Sequence, residues 1–317
     1  MNLHNDSAAP RIVVLGSLNM DLVVRVPHAP AAGETLQGYS LTSIPGGKGG
    51  NQAVSCARQG SRVSLVGCVG ADAHGEALRQ ALRTDGIDVA AVRIDPSAPT
   101  GTAVVMVDDT GQNRIVVIAG ANAQVDVEET RWAAHLQEAA FLVTQFETPL
   151  PQVLRAIDAA GRARCKVLLN PSPVQALDEH VWPLIDTLVV NEIEATTLSG
   201  VPAESAAEAA LAGTWFCDRG VARVVVTLGA RGAVAIDADG ARHHPAPRVQ
   251  AVDTTAAGDT FLGALAVALA AGESFDEAVR FGIRSAVLCV TQPGAQPSIP
   301  FRAAVLNSPL PPDWTLL

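Results

Sequence analysis

VDTTAAGDTF, residues 252–261, leads straight into FLGALAVALAA, residues 261–271. The second segment is apolar on nearly every face, so as a helix it must be buried, with its start held by the core. Ala256, Ala257 and Gly258 just ahead of it leave main-chain N–H groups without shielding side chains, a place that favours anions. Two carboxylates, Asp253 and Asp259, flank the turn. Asp259 stands where a phosphate would be welcome, and both fit only if one reacts with what carries the other. A base beside a phosphoryl-binding turn points to phosphoryl transfer to a hydroxyl. The plainer alternative is that Asp259 caps its helix. A capping box would need Glu or Gln three residues on, where Leu262 stands, and Asp253 lies too far upstream for capping. From this segment alone the two readings stand level.

Upstream, strand-like and helix-like runs alternate. Residues 11–16 (RIVVLG), 22–26 and 63–67 read as strands, and 51–59 and 75–85 as helices closed by Gly60 and Gly86. Residues 102–107 and 113–118 bracket Asp-Asp-Thr-Gly-Gln and read as a hairpin. Beyond it come helices at about 127–138, 150–160, 191–200, 204–219 and 274–290, and strands at 140–144, 166–169, 187–190 and 223–227, with hairpin-like strands through Arg242. This alternation predicts an α/β domain with a mostly parallel sheet covered on both sides and ligands at its carboxyl edge. The hairpin and the early strand pair interrupt the pattern and are assigned to a small β-sheet lid, drawn from about 21–45 and 100–119. One domain spans 1–317, and 308–317 is a Pro-rich, irregular tail.

Size and composition agree. A chain of 317 residues, 48% hydrophobic and 17% charged, buries a substantial core. A net charge of -10 without any Lys/Arg block argues against nucleic acid as a partner. Five scattered cysteines, Cys56, Cys68, Cys165, Cys217 and Cys289, read as core thiols in a reducing compartment. Residues 1–10 lack a basic start with an apolar run, and nothing approaches the roughly 20 apolar residues of a membrane span. The expectation is a cytoplasmic protein without a membrane partner. His243 and His244 read as surface strand or turn residues.

Several other segments can carry chemistry. PGGKGGN, residues 45–51, fails the spacing of a Walker loop and of the dinucleotide fingerprint. It remains a glycine-dense turn before a helix, where backbone can approach a small ligand and Lys48 and Asn51 can donate hydrogen bonds, or simply a tight turn. In NEIE, Asn191 and Glu194 fall on one helical face, able to hold a hydrated Mg²⁺ but equally a cap, which is the better reading of that segment alone. Glu147 in QFETP lies at a strand's carboxyl end. Asn19 and Asp21 follow the first strand, where turn chemistry explains them equally well. TLGARG, residues 227–232, is a Gly-rich corner for a nucleotide or a hairpin.

Taken together, LGSLNMD (15–21), PGGKGGNQA (45–53), QFETP, NEIE, TLGARG, VDTTAAGDTF and VTQPGAQPSIP (290–300) occur in the order found in the ribokinase/PfkB carbohydrate kinase family, which the chain resembles from about 11 to 302. The paired GGKGGN and AAGDTF signatures are specific in combination. The resemblance implies a three-layer α/β/α domain with a β-sheet lid, and an ATP-dependent sugar kinase with Mg²⁺ and K⁺ as cofactors, dimerising through the lid. It assigns Asn19, Asp21, Gly47, Lys48, Asn51 and Glu147 to the sugar hydroxyls, Asp259 to the catalytic base, and Ala256, Ala257 and Gly258 to the anion hole. Asn191 and Glu194 would support Mg²⁺ and phosphate, with Thr227, Gly229 and Gly232 along the nucleotide. Asp253, Thr255, Cys289, Gln292, Gly294 and Ser298 match the monovalent-cation positions, several through carbonyls.

Two departures stand out. Ile283 occupies the position where the family commonly places His or Asn against the adenine, and Ala256 stands where many members have Gly. The expected reaction is transfer of the ATP γ-phosphoryl to a primary hydroxyl, the 5-hydroxyl if the sugar is ribose. Rival substrates are deoxyribose, fructose, a keto-deoxy acid or a nucleoside; the Asn19/Asp21 pair with Lys48 and Asn51 favours a polyhydroxylated pentose. Outside the kinases, the rival is a sugar-sensing binding protein that lost turnover.

Overall fold

The run RIVVL is apolar at four successive positions because its strand is buried on both faces. Val13 and Leu15 enter one hydrophobic cluster, and Ile12 and Val14 the other. The computed structural model describes residues 9–127 and 132–309. In chain order these form β1 (Arg11–Leu15), β2 (Asn19–Arg25), β3 (Ser40–Gly46), α1 (Lys48–Arg58), β4 (Arg62–Gly70), α2 (Ala73–Thr84), β5 (Val92–Asp95), β6 (Gly101–Val107) and β7 (Asn113–Ile118). Next come α3 (Ala133–Leu136), β8 (Phe141–Thr144), α4 (Leu150–Ala163), β9 (Lys166–Leu169), β10 (Thr187–Asn191), α5 (Glu192–Ser199), α6 (Ala206–Cys217), β11 (Arg223–Thr227), β12 (Ala233–Asp237), β13 (Gly240–His244), α7 (Ala257–Ala270), α8 (Phe275–Cys289) and α9 (Arg302–Asn307).

A nine-stranded sheet runs β13-β12-β11-β10-β9-β8-β1-β4-β5. It is parallel from β11 to β5, and β12 and β13 close one edge as an antiparallel hairpin. One face packs on Leu136, Val153, Ile157 and Phe216 from α3, α4 and α6. The other packs on Val54, Leu78, Leu265 and Val279 from α1, α2, α7 and α8. Helix α7 is buried over most of its length, as its all-round apolar sequence requires. A separate sheet, β3-β2-β6-β7, forms the lid.

The structure corrects several expectations. The early strand pair divides: β1 lies inside the main sheet, paired with β4 and β8, and only β2 belongs to the lid. Strands β3 and β5 and helix α9 were not expected. Both strands lie at sheet edges, and β3 carries Pro45, which an edge strand tolerates. Of the helix expected at 127–138 the described residues show Ala133–Leu136, while 128–131 lie outside them, as do 1–8 and 310–317 of the termini. His244 is buried rather than superficial, its Nε2 2.8 Å from Asp276 Oδ1, whereas His243 is exposed. Cys56, Cys68, Cys165 and Cys289 are buried free thiols, and Cys217 is half-buried.

Strand β1 and helix α1 approach more closely than any side chain would permit. A Cβ on Gly49 would lie 2.5 Å from the carbonyl carbon of Gly16 and 2.6 Å from the amide of Ser17. Main chain on both sides has nowhere to go, so Gly49→Ala should lose about 1–3 kcal/mol of stability. Thermal unfolding checks this, and an unchanged midpoint would contradict it.

Candidate active site

The parallel strands deliver their carboxyl ends to one edge of the sheet, where open α/β sheets bind ligands. Residues after β1 supply Ser17, those after β8 supply Gln145 and Glu147, β10 ends in Asn191, and β11 ends in Thr227, paired in register with Asn191. The lid sheet adds Asn19 and Asp21 from β2, which the structure places in a strand and not a turn.

Asp259 is the third residue of α7 and does not cap it. The N-cap is Ala256, in the left-handed region at φ 60, and no side chain satisfies the first turn. Ala257 N donates to Thr254 O at 3.2 Å, and the helix start otherwise opens toward the strand ends as a pole of positive potential. The Asp259 carboxylate turns to α1 instead. Asn51 Nδ2 donates to its Oδ2 at 3.0 Å and Gln52 Nε2 to its Oδ1 at 2.9 Å. Gln145 Nε2 donates in turn to Gln52 Oε1 at 2.5 Å. Both oxygens thus accept from amides that cannot release a proton, which orients Asp259 without neutralising it. Of the two readings of this residue, capping is excluded.

Glu147 accepts from Ser17 Oγ at 2.5 Å and from the Lys48 amide at 3.1 Å. Sequence reasoning placed Glu147 at a strand's carboxyl end; the structure makes it half-buried and tied to the first turn of α1. Gly47, at φ 85, precedes that turn, and a Cβ on it would lie 2.7 Å from the Asn19 amide. A Cβ on Gly46 would lie 2.2 Å from Asp21 Oδ2. The glycines of PGGKGG therefore let the start of α1 lie directly against β2, joining the sugar-candidate residues Asn19, Asp21, Gly47, Lys48, Asn51 and Glu147 to Asp259.

The electrostatics follow from that crowding. Burial, reinforced by Glu147 and Asp259, pushes the Asp21 carboxyl up to about 7. Burial works to lower the Lys48 ammonium, but Asp259, Glu147 and Glu194 outweigh it and hold the pKa above its ordinary value. Lys48 is thus a permanent cation among carboxylates.

Asn191 and Glu194 form a reciprocal capping box: Glu194 N donates to Asn191 Oδ1 at 2.8 Å and Asn191 N to Glu194 Oε2 at 3.0 Å. The cap is real, yet it leaves Glu194 buried with a second carboxylate oxygen and close enough to act on Lys48. Thr227 Oγ1 donates to Val190 O at 3.4 Å. Gly229 and Gly232 take positive φ in the tight turn from β11 to β12, and a Cβ on Gly232 would lie 2.0 Å from His244 O. Ile283 is a buried member of the core, offering apolar contact only.

Asp253 bridges two loops, accepting from the Thr255 amide and the Gly294 amide, each at 2.9 Å. Its pKa is lowered: burial acts to raise it, and hydrogen bonds from Thr255 and Gly294, with Arg25 nearby, prevail. Cys289 Sγ lies 3.7 Å from Thr255 O and 3.1 Å from Ser298 Oγ. These residues converge beneath the α7 turn, whereas the Gln292 side chain is exposed. Among residues that sequence reasoning missed, Gln52 and Gln145 lay beside noted positions and Ser17 beside LN. Asn122 gave no signal, since its role depends on a contact 104 residues away.

A carboxylate fixed at the bare start of a buried helix, beside a lid strand that carries Asn19 and Asp21, fits the sugar phosphotransferases. The chain belongs to the pfkB family of carbohydrate kinases, whose pattern matches residues 9–302. Ribokinase of Haemophilus influenzae is 40% identical over 297 residues, covering 93% of this chain and 97% of that one. Among solved structures, Arabidopsis thaliana ribokinase complexed with ribose and ATP superposes with a TM-score of 0.87 at 34% identity, over 94% of this chain and 98% of that one. Ribokinase from Thermotoga maritima gives 0.85 at 38% identity, over 94% and 98%.

Proposed function

We propose that the chain transfers the γ-phosphoryl group of ATP to the 5-hydroxyl of D-ribose, yielding ribose 5-phosphate and ADP. The observation that carries this reading is the Asp259 carboxylate, held by Asn51 and Gln52 at the uncapped start of α7. Asp259 takes the hydroxyl proton as the sugar oxygen bonds to phosphorus and the bond to the β-phosphate oxygen breaks. The amides at the start of α7, Ala256, Gly258 and, on release from Thr254 O, Ala257, stabilise the charge on the transferring group with the Lys48 ammonium. Asn19, Asp21, Gly47, Lys48, Asn51 and Glu147 hold the sugar, and Thr227, Gly229 and Gly232 line the nucleotide, with Ile283 beside the base.

Mg²⁺ needs few protein oxygens, and the free carboxylate oxygen of Glu194, with Asn191 beside it, suits a water-mediated ion. Bound there, the ion would neutralise phosphate charge. K⁺ would fit the loop pair joined by Asp253, which offers a carboxylate held ionised together with main-chain carbonyls around Thr255, Cys289, Gly294 and Ser298; the exposed Gln292 would contribute through its backbone.

We further infer a homodimer formed through the lid, because Tyr39, Leu41, Ile115, Val116, Val117 and Ile118 leave a broad apolar surface exposed on it. A cytoplasmic location accords with buried free thiols and with the lack of a membrane-crossing helix among the described residues.

A second reading, 2-deoxyribose as substrate, is favoured by the 34% identity to deoxyribokinase of Salmonella typhimurium over 91% of this chain. ADP release with ribose, 2-deoxyribose, fructose and adenosine, each in K⁺ and in Na⁺, separates the readings. Ribose should give the highest kcat/KM, with K⁺ above Na⁺. Turnover of adenosine alone would refute the pentose assignment, and binding of ribose without ADP release would indicate a sensor.

A further inference from the structure

We infer that Asn122 is a positioning residue that fixes the polarity of Asn19, so that Asn19 meets the sugar as a hydrogen-bond donor; this rests on the sugar-site reading above. Asn122 lies in the 3₁₀ turn after β7 and is 1% exposed. The Leu18 amide donates to its Oδ1 at 2.8 Å, while its Nδ2 donates to Leu18 O at 3.1 Å and to Asn19 Oδ1 at 2.8 Å.

An amide side chain's orientation is settled by its partners, and here the first two partners are main chain. A backbone N–H can only donate and a carbonyl can only accept, so Leu18 dictates which end of Asn122 carries the oxygen. Asn122 must then present N–H to Asn19, and Asn19 must answer with its oxygen. The NH₂ of Asn19 is what remains for a ligand. With Asp21, Glu147 and Asp259 all acceptors, Asn19 and Lys48 supply the donors, and a hydroxyl between Asn19 and Asp21 can accept from one and donate to the other.

The same amide binds the lid to the main domain. Asn19 pairs with Gly46 and Gly101, the last residue of β3 and the first of β6. A Cβ on Gly101 would lie 2.1 Å from Asn122 Nδ2 and 2.3 Å from Asn19 Oδ1, so the β6 crossing closes over this bond without room for a side chain. Ala121 N donates to Pro99 O at 2.8 Å, pinning the β7 exit to the β6 entry. The passages into and out of the lid thus converge on Asn19 and Asn122.

Steady-state kinetics and ribose titration on Asn122→Asp, Asn122→Ala and Asn19→Ala test the inference. Asn122→Asp keeps the acceptor for Leu18 N but sets an oxygen against Leu18 O and Asn19 Oδ1, so Asn19 must turn its oxygen to the sugar. Its ribose KM should rise about tenfold or more, with kcat and the KM for ATP within about threefold. Its preference for ribose over single-deoxy analogues should shrink at the hydroxyl Asn19 holds. Asn122→Ala, neutral and easier to fold, should shift ribose KM the same way. If Asn19→Ala raises ribose KM while both Asn122 variants stay within about twofold of the parent, the inference is overturned. It is also overturned if kcat and both KM values worsen in step, since that marks a merely structural role. If Asn19→Ala leaves ribose KM unchanged, the sugar-site reading itself fails.

Discussion

Asp259→Asn should lower kcat by about 10²–10⁴, the usual worth of a positioned general base. The substitution is close to isosteric but not innocuous. Both carboxylate oxygens accept from amide donors, Asn51 Nδ2 and Gln52 Nε2. An asparagine accepts at only one end, and Gln52 is held by Gln145, so the new NH₂ faces Asn51 until that amide turns to offer its unpaired Oδ1. Loss of the charge that strengthens both hydrogen bonds costs about 1–2 kcal/mol, which should appear as a lower unfolding midpoint. Ribose affinity, measured by calorimetry apart from turnover, should fall by no more than about tenfold, since Asn51 retains its place on α1. ADP release from the variant above about a tenth of the parent rate would remove Asp259 from the role of base. Asp259→Ala provides the control for the donor clash: it lacks the misplaced NH₂ and should be equally slow.

Much of this arrangement was legible in the order of residues, and the parts that were not share a physical cause. The buried start of α7 followed from an apolar run too uniform for any surface, and the cap reading of Asn191 and Glu194 followed from their spacing. Hydropathy failed on a pair of near-identical strands. RIVVL at Arg11–Leu15 is buried, whereas RIVVI within Asn113–Ile118 is exposed at every position. Composition cannot separate them; what does is topology, since β1 lies between β4 and β8 while β7 is the outer strand of the lid. Asn19 and Asp21 were open to a turn reading because LNMD carries turn-compatible residues, and only pairing with β3 and β6 makes them strand. Likewise Gln52, Gln145 and Asn122 are ordinary polar residues in sequence. Each acquires its role from a partner about a hundred or more positions away, in contacts that period and propensity do not encode.

The apparent KM for the sugar should depend on pH through Asp21. Its carboxyl is raised from 3.8 to about 7 by burial, then by Glu147 and Asp259. Only the ionised carboxylate accepts two hydroxyl protons, so near neutrality about half of the free enzyme is ready to bind. Below pH 7 kcat/KM should drop by about tenfold per unit, while kcat, which reports the sugar-bound enzyme, should change little over the same range. Stability runs the other way. Because the folded pKa lies above the unfolded one, the fold favours protonated Asp21; that contribution is complete below pH 3.8 and is lost as pH rises through about 7. Asp21→Asn should therefore raise the unfolding midpoint at pH 8, leave it nearly unchanged at pH 4, raise the ribose KM at every pH, and flatten the acid limb of kcat/KM. A parent profile that is flat from pH 6 to 8 would contradict the argument. An acid limb that survives in Asp21→Asn would remove Asp21 as its source. Burying a carboxylate beside two others destabilises the sugar-free protein, and hydroxyls that donate to Asp21 would relieve that penalty, so sugar binding should draw the Asp21 pKa down and release protons at neutral pH.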